Sequence, residues 1–161
     1  MGDNTETLAS RVVARWAARS ETIACCESLT AGLLSATLAG VPGASAVLRG
    51  GLVVYATDLK ETLAGVPAEV LREHGPVARR TALCMAEGAR ARLRATWAVA
   101  LTGVAGPEPQ DGHPVGEVWL GLRGPGVRAA RNLRLSGDRA AIREESVRQA
   151  LRGLLAAAGE E

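Results

Sequence analysis

Residues 96–103 read TWAVALTG, an apolar run with no alternation until it closes in Thr and Gly. A strand with one wet face alternates apolar and polar side chains, so a run of this kind suits a strand covered on both faces. Cover on both faces requires helices above and below the sheet. The chain supplies them as segments of helical period: residues 6–19, with Leu8, Val12 and Trp16 on one side and Arg11, Arg15 and Arg19 on another; 30–40, closed by Gly40 and Pro42; 76–94, opening on Pro76 and carrying an Ala78, Ala82, Met85, Ala89, Leu93 stripe; and 138–157. Two short helices are expected around 57–64 and 67–73. Between them lie strand-like runs at 22–27, 46–56, 116–124 and 126–135. Gly50 and Gly51 inside the second run predict a bulge or a close approach there. The alternation of elements, with two adjacent strands near the end, predicts an α/β fold. It is a three-layer α/β/α sandwich with a mixed, mostly parallel sheet of about five strands, formed by a single domain over 1–161.

Composition narrows the function. The net charge is +2, and 18 arginines are interspersed among 17 acidic residues; with no Phe, one Tyr and three Trp, the chain lacks both a basic block and stacking platforms, so no nucleic-acid partner is expected. The start MGDNTETLAS has neither a basic nor an apolar leader region, and no apolar run approaches membrane-spanning length, so a cytoplasmic protein without a membrane partner is expected. Cys25, Cys26 and Cys84 read as small buried hydrophobes, the adjacent pair pointing to opposite faces of a strand. Neither His74 nor His113 has paired-ligand spacing with a cysteine; each reads as a solvated residue or helix-end cap, and no metal or cofactor is expected. The loop 103–116, GVAGPEPQDGHPVG, is flanked by apolar runs and reads as internal to the domain.

In open α/β sheets, ligands gather beyond the carboxyl ends of the strands. Three stretches map there. In ESLTAG, 27–32, a strand hands over to a helix, and Ser28 or Thr30 sits near free amides; the serine can be a nucleophile beside an oxyanion site, or an N-cap. In GGLVVYATDLKETLAG, 50–65, Lys60 is the only lysine among 19 basic residues, and Tyr55 is the only tyrosine. Arginine stays protonated in any site, whereas a partly buried lysine can become a base; a compositional accident is the competing account. The third stretch is LTGVAGP, 101–107, where Thr102, Gly103 and Gly106 let backbone approach a ligand, or simply pack tightly.

ESLTAG, VVYATDLKETLAGVP, EHGPV and LTGVAGP…PVGEVWLGL resemble, in order and spacing, the CinA C-terminal domain family, over about residues 8–156. Its characterised members are nicotinamide-nucleotide amidohydrolases. The resemblance implies deamidation of nicotinamide mononucleotide to nicotinate mononucleotide and ammonia, without a metal, in pyridine nucleotide salvage. It also implies Ser28 as nucleophile, Lys60 as catalytic lysine and Tyr55 as a site residue. Thr30, Ala31 and Gly32 would hold the oxyanion, and Thr102, Gly103 and Gly106 would line the substrate. Arg139 and Arg143, four apart at the start of the last helix, would fork the nucleotide phosphate, or form a solvated helix face. Where the family usually has Cys-Thr-Gly-Gly after its serine, this chain has Leu29, Thr30, Ala31 and Gly32, and Thr57 stands in place of the usual asparagine. The N-terminal domain of long CinA proteins lies outside the resemblance. A homo-oligomer acting on a small nucleotide is expected; a non-catalytic nucleotide-binding module, or a competence or DNA-damage regulator, is the alternative.

Overall fold

The structure, a computed structural model, describes residues 2–160, so the outermost positions of the expected 1–161 span lie outside it. The order of elements is α1 (Thr5–Ala18), β1 (Ile23–Glu27), α2 (Leu33–Ala39), β2 (Leu48–Val53), α3 (Thr57–Thr62), α4 (Ala68–His74), α5 (Arg79–Arg92), β3 (Trp97–Gly103), β4 (Glu117–Gly124), β5 (Val127–Arg134) and α6 (Arg139–Ala157). The sheet order is β2-β1-β3-β4-β5. β1 runs parallel to both β2 and β3, while β4 is antiparallel to both β3 and β5. Four strands therefore share one direction and β4 opposes them.

The unbroken apolar run becomes the central strand β3, buried from Trp97 through Thr102. Alternation along β1 and β3 sorts their side chains between two layers. Ile23, Cys25, Trp97, Val99 and Leu101 face α1, α2 and α6, meeting Leu8, Val12, Trp16, Leu34, Leu38, Ile142, Leu151 and Leu154. Trp16 and Trp97 meet edge to face at 5.4 Å. Ala24, Cys26, Ala98 and Ala100 face the other way, toward Met85, Ala86 and Ala89 of α5 and Val70 of α4. The small residues on this second face let α5 come close. A Cβ on Gly121 of β4 would stand 2.4 Å from the Ala82 carbonyl oxygen, and one on Gly88 of α5 only 1.5 Å from that of Ala64.

Several boundaries differ from the sequence reading. The helix expected from residue 30 starts at Leu33, because Ala31 and Gly32 are left-handed, at φ 47° and 97°. That expected from Pro76 starts at Arg79. Pro76 instead lies over the end of β3, where its carbonyl accepts the Thr102 hydroxyl at 2.7 Å. The second strand is shorter than 46–56, and both expectations for its glycines are met. Register slips between Ile23 and Ala24, whose partners are Leu48 and Gly50, and a Cβ on Gly51 would lie 2.2 Å from Ser35 Oγ. Among the described residues no helix is long and apolar enough to cross a membrane.

Candidate active site

At the carboxyl end of β1, two consecutive polar residues leave the sheet in opposite directions. Glu27, fully buried, reaches α2: Oε1 accepts the Leu34 N–H at 2.8 Å, and Oε2 accepts the Ser35 N–H at 3.0 Å and its hydroxyl at 2.7 Å. Ser28 turns to the other face, toward α3. There Lys60 Nζ lies 3.0 Å from Ser28 Oγ, 2.8 Å from the Val54 carbonyl and 3.4 Å from that of Tyr55. Ser28 is therefore not the cap of α2. The N-cap position is Gly32, which contributes no side chain, and the carboxyl group of Glu27 serves the first-turn amides. Sequence reasoning gave Glu27 no role, although an acidic residue just ahead of a helix start is a recognisable signal.

Lys60 is only 1% exposed, and no carboxylate pairs with it among the described residues. Burial holds its amine down to about 8, against an ordinary value of 10.5; the nearby Cys26 thiol acts weakly in the opposite direction. Two N–H bonds of a neutral amine can be spent on the Val54 and Tyr55 carbonyls, leaving its lone pair for the Ser28 hydroxyl proton. Such a pair can deprotonate serine at near-neutral pH. The neighbouring thiols offer no rival nucleophile. Burial pushes Cys26 up to about 12 and raises Cys25 further still. Cys84, by contrast with the expected burial, is half-exposed.

Ser28 and Lys60 open onto a cavity of about 290 Å³ lined by Tyr55, Thr57, Thr102, Gly103, Gly106 and Arg139, among others. Gly103 must be glycine here, because a Cβ would come within 2.5 Å of the Glu117 carbonyl oxygen. Arg139 spans the cavity mouth, donating to the Gly106 carbonyl at 2.6 Å and to the Tyr55 hydroxyl at 2.9 Å. Thr30, Ala31, Gly32 and Arg143 lie outside the lining. Arg143 is separated from Arg139 in use: its Nε donates to the Leu29 carbonyl at 2.9 Å and its Nη2 to that of Thr30 at 3.1 Å. His113 sits in the β3–β4 loop against Glu117, and His74 ends α4. No cluster of three His, Cys, Asp or Glu suited to a metal occurs among the described residues.

The chain and its mixed five-stranded fold match known proteins closely. The CinA C-terminal domain profile matches residues 5–158, and the chain belongs to that family. A CinA-like protein from Frankia casuarinae is 47% identical over 150 residues, covering 93% of this chain and 35% of its own length. The chain thus spans about a third of such relatives. Among solved structures, the competence/damage inducible protein CihA from Agrobacterium tumefaciens is 37% identical with a TM-score of 0.92, covering 97% of this chain and 96% of that one. A CinA superfamily protein from Klebsiella pneumoniae is 31% identical with a TM-score of 0.94, covering 98% and 99%.

Proposed function

We propose that the protein hydrolyses the carboxamide of nicotinamide mononucleotide, giving nicotinate mononucleotide and ammonia through a serine–lysine mechanism. The observation that carries this reading is the buried Lys60 Nζ, with no carboxylate partner among the described residues, 3.0 Å from Ser28 Oγ in the cleft. Neutral Lys60 takes the hydroxyl proton as Ser28 Oγ bonds to the amide carbon. The carbon–nitrogen bond then breaks, and Lys60 returns the proton to the departing nitrogen, which leaves as ammonia. Water attacks the acyl-enzyme, Lys60 accepts its proton and passes it to Ser28 Oγ as the ester bond breaks, and nicotinate mononucleotide leaves.

Arg139 is the guanidinium on the cavity and supplies a fork for the phosphate; Tyr55, bonded to it, closes the same edge. Glu108 and Gln110, also on the lining, offer partners for ribose hydroxyls. The test is incubation with nicotinamide mononucleotide while nicotinate mononucleotide and ammonia are both measured. Equal amounts of the two are expected from wild type and none from Ser28→Ala. A folded wild type that yields neither would overturn the reading.

A further inference from the structure

Arg143 reaches across 114 residues of sequence to the two residues that follow Ser28, donating to the Leu29 carbonyl from Nε and to the Thr30 carbonyl from Nη2. That turn is otherwise costly. Ala31 holds a left-handed φ of 47° beside left-handed Gly32, a conformation that L-residues other than glycine adopt only at a penalty. In a trans peptide the C=O and the following N–H point opposite ways. Holding the Leu29 and Thr30 carbonyls on Arg143 therefore fixes both peptide planes of the turn, of which Leu29 lines the cavity beside Ser28. Glu27 anchors the far side of the turn through Leu34 and Ser35.

We infer that Arg143 is a positioning residue: it sets the turn after Ser28 so that the nucleophile meets Lys60. The inference rests on the serine–lysine reading above. It also departs from a phosphate role, since Arg143 lies outside the cavity that Arg139 lines. A group that holds the turn, and not the ligand, acts on the reaction step. Its loss lowers kcat and leaves KM nearly unchanged.

The experiment uses two readouts on wild type, Arg143→Ala and Arg143→Lys. One is hydrolysis of nicotinamide mononucleotide. The other is labelling by an alkyl fluorophosphonate, in which Ser28 Oγ bonds to phosphorus, fluoride leaves and the hydroxyl proton passes to Lys60. The probe carries no nucleotide, so its rate reports the nucleophile alone. Arg143→Ala is expected to lower both labelling and kcat by roughly 100-fold, the scale of misplacing a reacting group by about 1 Å, with KM held within about twofold. Arg143→Lys, able to serve one carbonyl and safer for folding, is expected to fall between. Added methylguanidinium is expected to restore part of the labelling of Arg143→Ala, which a general loss of packing would not allow. A raised KM with unchanged labelling and kcat in both variants would overturn the inference and return Arg143 to the ligand. A wild type inert to the probe would instead sink the serine–lysine reading itself.

Discussion

The two faces of the sheet are built from different materials, and the two halves of the candidate site come from opposite faces. On one, α1, α2 and α6 pack with Leu, Ile, Val and Trp, and α2 and α6 hold the turn after Ser28 through Glu27 and Arg143. On the other, Ala24, Cys26, Ala98 and Ala100 meet the alanines of α5, and α3 delivers Lys60. Bulky side chains set geometry by filling volume and tolerate small rearrangements. Backbone pressed on backbone has almost no freedom. The pair of materials suggests how an amine can be buried with no carboxylate partner among the described residues: the Lys60 side is held by close contact and carbonyl dipoles.

The largest expected effect is at the junction of the two faces. Lys60→Arg should be as damaging as Lys60→Ala, each lowering kcat/KM on nicotinamide mononucleotide by about 1,000-fold, because arginine cannot take a proton at any workable pH. Circular dichroism would confirm folding. Wild-type kcat/KM should rise with pH through about 8, where the amine loses its proton. An arginine variant that keeps most of its activity would reduce the sole lysine to an accident of composition.

Next come the layers themselves. Leu151, fully buried in α6 on the aliphatic face, should cost about 3 kcal/mol when cut to alanine, by transfer and cavity terms. On the small-residue face, addition should be as harmful as deletion is on the other. Gly88→Ala places a methyl 1.5 Å from the Ala64 carbonyl oxygen, so helix α5 or the segment at Ala64 must move, at about 3 kcal/mol. Denaturant unfolding of both variants checks the contrast. If Gly88→Ala were neutral, the close-contact account of that face would be wrong.

Much of this architecture was readable beforehand, for particular reasons. β3 announced itself because a strand buried on both faces has no alternation to confuse, and α1 and α6 because their apolar stripes keep the helical period. The site was less legible where it depends on contacts distant in sequence. Ser28 and Lys60 were found as residue types in plausible turns, and the structure brings them together. The role of Arg143 was not visible: four-residue spacing put it beside Arg139, while only the packing of α6 on the Ser28 turn decides that one arginine faces the cavity and the other the backbone. Glu27 was hidden by its neighbour, since a serine before a helix looks like the cap that the glutamate supplies.

A smaller effect concerns what the buried amine costs the fold. The folded state holds Lys60 at about 8 and the unfolded chain at its ordinary 10.5. Below pH 8 both states carry the proton, and the penalty is full; between 8 and 10.5 only the unfolded chain binds it, so stability rises with pH across that window; above it the penalty is gone. Lys60→Met, similar in length and apolar, should therefore stabilise the protein by about 2 kcal/mol at neutral pH and flatten the rise. Thermal melts from pH 7 to 10.5 on both proteins measure this. Equal pH slopes would mean that the amine is not desolvated in the folded state.

The smallest expected effect lies at Ala31, on the aliphatic-face side of the site. Its φ of 47° is sterically costly for alanine and free for glycine, yet Ala31 is exposed and its methyl fills no core volume. Ala31→Gly thus removes strain from the folded turn while adding freedom to the unfolded chain, and the two act in opposite directions. The left-handed penalty of about 1–2 kcal/mol exceeds the entropic term of about 0.4–1 kcal/mol, so a net gain of roughly 0.5–1 kcal/mol is expected. The same substitution separates strain from positioning. If Arg143 is what holds the turn against that strain, then relieving it should soften the loss of kcat in Arg143→Ala, and the double variant should be more active than Arg143→Ala alone. Independent, multiplicative effects would show that the strain at Ala31 and the brace from Arg143 do not act on the same turn.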